Sequence, residues 1–328
     1  MKVRVKEIVE RDVLIVLPDN IKACFESISG HYWDEVFEIR LRVGQYPFLT
    51  TLNGELSLSE IEESSSKLSM VTQDDISKTL GLMSQNSIYA VQEEIKSGFI
   101  TLKGGHRVGI TGKVICDSKL IQNIRHFSSL NIRIARQVIG AADYLLNYLL
   151  ANGEFINTLI ISPPSCGKTT TLRDIIRQTS NGIPGLGFKG RTVGVVDERS
   201  EIAACYKGIP QNDIGIRTDV LDSCLKAEGI MMMVRSMSPG IIATDEIGSV
   251  EDAKAILTAL GAGIGVVCTA HGNCIEDILL RPGLNELITT KTFGRIVVLS
   301  NYRGPGTIKE VYDGLTLKPI PKMGVMVW

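Results

Sequence analysis

The chain has 328 residues, room for two domains at about 150 residues each. Thirty-five Lys and Arg against 36 Asp and Glu leave a net charge of −1, and 44% of the residues are hydrophobic and 22% charged. These values exclude a disordered, collagen-like or low-complexity chain and argue against a strongly basic nucleic-acid binder, so no nucleic-acid partner is expected.

The first residues, MKVRVKEIVERD, are charged and carry no apolar core of a secretory signal. The uncharged stretch from Ala255 to Ala270 is too short to cross a membrane. A soluble cytoplasmic protein, peripheral to something larger, is expected. Seven cysteines (24, 116, 166, 205, 224, 268 and 274) are odd in number and scattered, which suits free thiols in a reducing compartment. Cys268, His271 and Cys274 have ligand-like spacing. No fourth ligand follows at finger-like spacing and a buried strand leads into them, so a structural role outweighs zinc.

Residues 1–137 mix short strands, hairpins and small helices, which predicts a smaller α+β domain. Val36 to Val43 alternates apolar and charged residues, as a half-buried strand does. Asn53-Gly54 marks a hairpin turn. Thr72 with Asp75 reads as a helix start leading into ISKTLGLMSQ. Phe99 to Leu102 and Arg107 to Ile115 flank a second hairpin at Gly104-Gly105, and Asn131 to Arg136 is another strand. Val138 to Leu150 is predicted to be a helix joining the two halves.

Residues 138–328 change to a rhythm of apolar strand, turn and helix. Strands are predicted over Thr158–Ser162, Thr192–Val196, Ile241–Thr244, Val266–Ala270 and Arg295–Ser300. Helices are predicted over Thr169–Thr179, Lys226–Met237 and Val250–Leu260. Apolar runs without alternation are the mark of buried parallel strands, so the expected fold is a doubly wound α/β domain with its chemistry at the carboxyl ends of the strands.

Ser162-Pro163-Pro164-Ser165-Cys166-Gly167-Lys168-Thr169 follows a strand and opens a helix, the context of a phosphate-binding loop. Main-chain N–H groups at the helix start would cradle phosphate, Lys168 would meet the β- and γ-phosphates, and Thr169 would reach Mg²⁺ with Thr170 behind it. Ser162 replaces the motif's first glycine and Ser165 stands where glycine is common; a negative φ would accommodate Ser165. Ile241 to Thr244 ends in Asp245-Glu246, a Walker B arrangement in which Asp245 holds Mg²⁺ and Glu246 activates water. The strand between these motifs and the second carboxylate are the pattern of a RecA/AAA-like P-loop NTPase with a parallel twisted sheet. That strand runs into Asp197-Glu198-Arg199-Ser200-Glu201, whose carboxylates would repel one another unless a metal or arginines relieve them. His271 follows the strand after Walker B, where a polar residue can sense the γ-phosphate. Arg199, Arg217, Arg235 and Arg281 lie in or beside these loops as candidates to stabilise phosphoryl charge. Eight Lys and Arg between Lys96 and Arg136, against one acid, form a local basic surface, with Arg107, Arg125 and Arg133 as candidates for a lid over the nucleotide.

SPPSCGKTT, VVDERSEIAA, DVLDSCLKAEGIMMMVRSMSPGIIATDEIG and GVVCTAHG together resemble the stage III sporulation protein AA family of type II/IV secretion-type ATPases. EIRLRVGQ and GGHRVGITGKV resemble that family's N-terminal domain, so the likeness spans essentially the whole chain. It implies an acidic box at Asp197, Glu198 and Glu201, a histidine box at His271, and catalysis by Glu246 with Glu198, Glu201 and His271. It further implies an ATP- and Mg²⁺-dependent cytoplasmic ATPase, forming a hexameric ring on the mother-cell side. Such a ring would dock on membrane-embedded channel proteins and power or assemble a secretion-like channel to the forespore. Gly240 departs from the family in replacing an acidic residue before the Walker B strand. Two other readings stay open: a nucleotide-gated structural ring with little turnover, and a RecA-like nucleic-acid motor.

Overall fold

The computed structural model describes residues 5–321, apart from 27, 52, 62–67, 88–90, 97, 118 and 119. Its contacts divide the chain into Met1–Arg136 and Gln137–Trp328.

The first unit opens with helices α1 (Val5–Asp12), α2 (Asp19–Glu26) and α3 (Gly30–Glu35). Strands β1 (Glu38–Arg42), β2 (Phe48–Thr51) and β3 (Gly54–Ser57) follow, then α4 (Gln73–Met83), α5 (Gln92–Lys96), β4 (Phe99–Thr101), β5 (Arg107–Asp117) and β6 (Leu120–Arg133). The strands form one antiparallel sheet in the order β3-β2-β1-β6-β5-β4. The alternation in β1 is the reason it forms: Ile39 and Leu41 are buried while Glu38, Arg40 and Arg42 face outward. Helix α4 starts at a reciprocal cap. The Asp75 N–H donates to Thr72 Oγ1 at 3.1 Å and the Thr72 N–H donates to Asp75 Oδ2 at 2.8 Å. Of the strand expected at 131–136, residues 131–133 are the end of the much longer β6 and 134–136 lie beyond it.

The second unit corrects one expectation. Residues 138–150 are not a continuous helix: turns lead to the four-residue α6 (Leu146–Leu149), and β7 (Leu150–Ala151) pairs with β8 (Glu154–Phe155). Gly140 adopts φ +82°, which breaks the helix, and Val138 and Ile139 are 55% and 57% exposed. The apolar spacing there reflects Ala142 and Leu145 reaching the core from turns and Leu149 from the short α6.

The remaining elements alternate strand and helix. They are β9 (Thr158–Ser162), α7 (Lys168–Asn181), β10 (Val193–Asp197), β11 (Thr218–Asp222), α8 (Lys226–Ser236), β12 (Ile241–Thr244), α9 (Val250–Gly261), β13 (Gly265–His271), α10 (Ile275–Leu279), α11 (Pro282–Thr289), β14 (Arg295–Ser300) and β15 (Thr307–Asp313). The sheet runs β11-β10-β12-β13-β9-β14-β15, parallel except for the β14–β15 hairpin. Every residue of β9, β10 and β12 is buried, which is why these strands read as unbroken apolar runs. Leu159 and Ile161 join the core under α8–α11, and Ile160 joins the core on the opposite face with α7. Each such side chain contributes about 1.5–3 kcal/mol of burial. The fold is an α/β P-loop architecture that brings the carboxyl ends of β9, β10, β12 and β13 to one edge.

Candidate functional site

The phosphate loop joins β9 to α7 at that edge. Ser162 is fully buried, and its hydroxyl donates to Pro163 O at 2.8 Å. Pro163 is half-buried and Pro164 exposed, while Cys166 is buried. Ser165 does not adopt the negative φ that would suit it: it holds φ +59°, the left-handed region where a side chain is strained. Gly167 precedes α7 with φ +81°, and a Cβ there would lie 2.9 Å from Gly306 N. The Gly306 N–H donates to Cys166 O at 2.9 Å, and the Tyr144 hydroxyl donates to Gly306 O. The tip of the β14–β15 hairpin is thus fastened to the phosphate loop. Thr169 and Thr170 are half-buried in the first turn of α7, whose N–H groups and dipole favour an anion.

Lys168 is buried, and desolvation lowers its pKa although Glu246, Asp245 and Glu201 counteract it. Its ammonium donates to Ser162 O at 3.4 Å and to His271 Nδ1 at 2.9 Å. Because Nδ1 accepts there, the proton of a neutral imidazole sits on Nε2. That Nε2–H donates to Glu246 Oε1 at 2.8 Å, and Arg199 Nη1 donates to Glu246 Oε2 at 2.6 Å. Lys168, His271, Glu246 and Arg199 therefore form one hydrogen-bonded chain gathered from the carboxyl ends of β9, β13, β12 and β10. Glu246 also has φ +44°, and its N–H donates to Thr269 Oγ1 at 2.9 Å, fixing where the carboxylate points.

Asp245 stands apart from that chain. Both its carboxylate oxygens are buried and make no hydrogen bond. Burial, then the charge of Asp197, pushes its pKa up to about 6. An orphaned buried carboxylate beside a phosphate loop offers the hard oxygen donor that Mg²⁺ takes, so Asp245 with Thr169 fits that ion.

The acidic segment after β10 divides its tasks. Asp197 is fully buried, and it accepts from the N–H groups of Glu201, Ile202 and Ala203 at 2.9, 3.0 and 2.8 Å, so it shapes the loop. Glu198 pairs with Lys226 at the start of α8. The Glu201 charge acts on both Lys168 and Asp245. Arg173, buried in α7, secures the same loop by donating to Ile202 O and Glu201 O, both at 2.6 Å.

Among the candidate arginines of the second unit, Arg199 reaches this hydrogen-bonded chain. Arg217 lies at the amino end of β11, donating to Ser180 O at 2.7 Å. Arg235 is exposed at the carboxyl end of α8, and Arg281 precedes α11. Arg107, Arg125 and Arg133 belong to the first unit. Arg107 lies over the Phe99 ring, Arg125 is exposed, and Arg133 donates to Glu38 Oε1 at 3.0 Å. Cys268 is buried in β13 and Cys274 stands at the position just before α10; among the described residues no group of three or more His, Cys, Asp or Glu could hold a metal. Sequence reasoning missed Arg173, Thr269 and the hairpin tip. Gly304-Pro305-Gly306 was the available signal for the tip; Arg173 and Thr269 carried none.

Comparison with known proteins places these motifs among relatives. The family described as "Sporulation stage III, protein AA" matches residues 9–317. Stage III sporulation protein AA of Bacillus subtilis (strain 168) is 44% identical over 302 residues, covering 92% of this chain and 94% of that protein. Two solved structures share the fold at 15% identity. The Legionella pneumophila ATPase DotB covers 80% of this chain and 72% of its own, with a TM-score of 0.52. The pilus retraction motor PilT with bound ADP covers 80% and 74%, also with a TM-score of 0.52.

Proposed function

The chain belongs to the stage III sporulation protein AA family, and on that premise we propose that it is a Mg²⁺-dependent ATPase, acting as a homo-oligomeric ring, hexameric in the simplest case. It powers or assembles a secretion-like channel between mother cell and forespore, from the mother-cell cytoplasm, through membrane-embedded channel partners. Among the described residues no helix is long and apolar enough to cross a membrane, so attachment would come through those partners.

One observation carries the reading: Asp245, with both oxygens buried and unbonded, stands on the sheet edge that also presents Lys168. Bound Mg²⁺ would neutralise phosphate oxygens and hold the β- and γ-groups in register, with Asp245 and Thr169 as its protein ligands. The chain's own residues do the rest. Main-chain N–H groups at the start of α7 bind phosphate, and Lys168 neutralises the transferring group. Glu246 accepts a proton from the attacking water, while Arg199 and His271 hold its two oxygens. DotB and PilT, an ATPase and a motor with bound ADP, support the fold's suitability for this work.

Purified full-length protein should release phosphate from ATP only with Mg²⁺, and lose this in Lys168→Ala and Glu246→Gln. Failure to take up Mg-ATP, alone or with its membrane partners, would remove the proposal. The double tie on Glu246 favours a second reading, a nucleotide-gated ring with little turnover. Tight uptake without phosphate release, even with the partners present, would select it.

A further inference from the structure

The side chains that gather around Lys168 from other strands lie on one side of β9. His271 ends β13, and Asp245 and Glu246 follow β12, the next strand beyond. On the other side of β9 stands β14, whose hairpin tip is bonded to the phosphate loop through Gly306 and Cys166. A triphosphate lying along the loop with its γ end toward Asp245 would have β14 and its hairpin tip at its nucleoside end. At that tip, Asn301 to Gly304 forms a tight turn closed by the Gly304 N–H donating to Asn301 O at 3.0 Å. Tyr302 and Arg303 are its two central residues, and both side chains are exposed, Tyr302 by 86%. The turn is braced from behind, since the Thr307 hydroxyl donates to Gly304 O at 2.7 Å and Tyr144 donates to Gly306 O. An aromatic ring left in solvent on a braced turn beside a phosphate loop is a preformed stacking surface, and every nucleobase has a π-face to lay on it.

We propose that this turn is the nucleoside subsite, with Tyr302 stacking on the base of the bound nucleotide. The inference rests on the nucleotide reading given above and adds the group that holds the base. Stacking does not read base edges, so adenine and guanine nucleotides are served alike.

The test is calorimetric titration of the full-length chain with Mg-ATP, Mg-GTP and Mg-tripolyphosphate, which keeps the phosphates and lacks the nucleoside. In Tyr302→Ala, ATP and GTP should bind about tenfold more weakly, with tripolyphosphate unchanged. Tyr302→Phe should match the wild type. Equal losses for all three ligands would make the turn a brace of the phosphate loop and overturn the subsite. Unchanged nucleotide affinity with an altered sedimentation coefficient would assign Tyr302 to contact with a second copy and also overturn it. Wild-type protein that takes up tripolyphosphate no more weakly than ATP would overturn the subsite and leave the phosphate site standing. Uptake of neither would overturn both.

Discussion

The Lys168 ammonium lies 2.9 Å from Nδ1 of His271, although 103 positions separate the two residues. The contact exists because β9 and β13 are parallel neighbours in which His271 stands opposite Ser162, six residues before the lysine. It gives the buried ammonium a hydrogen-bond partner within the protein. Replacing His271 by Ala should lower the melting temperature, reflecting about 1–2 kcal/mol for a buried cation losing a partner. It should also weaken Mg-ATP hydrolysis, and thermal melts with phosphate-release assays would check both.

Asp245 gives the protein a pH-dependent weakness. Its folded-state pKa, pushed up to about 6, lies above the unfolded value, so the folded chain holds more protons between the two. Stability from this group is complete below the unfolded pKa and is lost as pH rises through about 6. Asp245→Asn should therefore stabilise the nucleotide-free protein at pH 8, by on the order of 2 kcal/mol, and change little at pH 4. The same substitution should remove the Mg²⁺ dependence of nucleotide binding. Denaturant unfolding at the two pH values would reveal the difference, and equal effects at both would count against the unpaired carboxylate.

Two backbone positions in the phosphate loop should respond in opposite directions. Ser165 holds φ +59°, so Ser165→Gly relieves strain and should raise stability by about 1 kcal/mol. Gly167 holds φ +81°, and an added methyl group would meet Gly306 N at 2.9 Å, so Gly167→Ala should cost about 1–3 kcal/mol and displace the hairpin. Chemical denaturation of the two variants would measure this.

Glu246 is the residue whose loss should separate binding from turnover. Glu246→Gln keeps size and shape while removing the proton acceptor, so hydrolysis should fall by about 10²–10⁴ with nucleotide affinity retained. Arg199→Ala should lower turnover less, by leaving one carboxylate oxygen unheld. Steady-state kinetics beside equilibrium binding would resolve the two effects.

Asp197 should behave as a structural residue. Three main-chain N–H groups converge on its carboxylate. Asp197→Ala would leave them unsatisfied, costing about 1–3 kcal/mol. Hydrogen exchange should then rise at Glu201 to Ala203.

The glycine–lysine turn that opens α7, the strand that runs into Asp245-Glu246 and the core strands were legible because local rules govern them. Buried parallel strands must be apolar throughout, and a phosphate loop must pair a glycine with a lysine at a helix start. The apparent helix at 138–150 misled because its apolar residues reach the core from turns and the four-residue α6, a break that Gly140 at φ +82° introduces. Strand β11 escaped notice because it is only half-buried at the sheet edge and reads as a polar segment.

The order of the residues alone thus determined the α/β class, the strand–turn–helix setting of Lys168 and the family likeness, since each depends on neighbours in sequence. Strand order was left to the tertiary structure. Placing β9 between β13 and β14 set Lys168 against His271 and put the hairpin tip on the phosphate loop. The parallel pairing of β10 with β12 drew Arg199 to Glu246, while Arg217 and Arg235 came to lie elsewhere and Asp245 kept no hydrogen-bond partner. Those outcomes follow from which strands pair across long stretches of chain, a competition of packing among distant segments that no local pattern encodes.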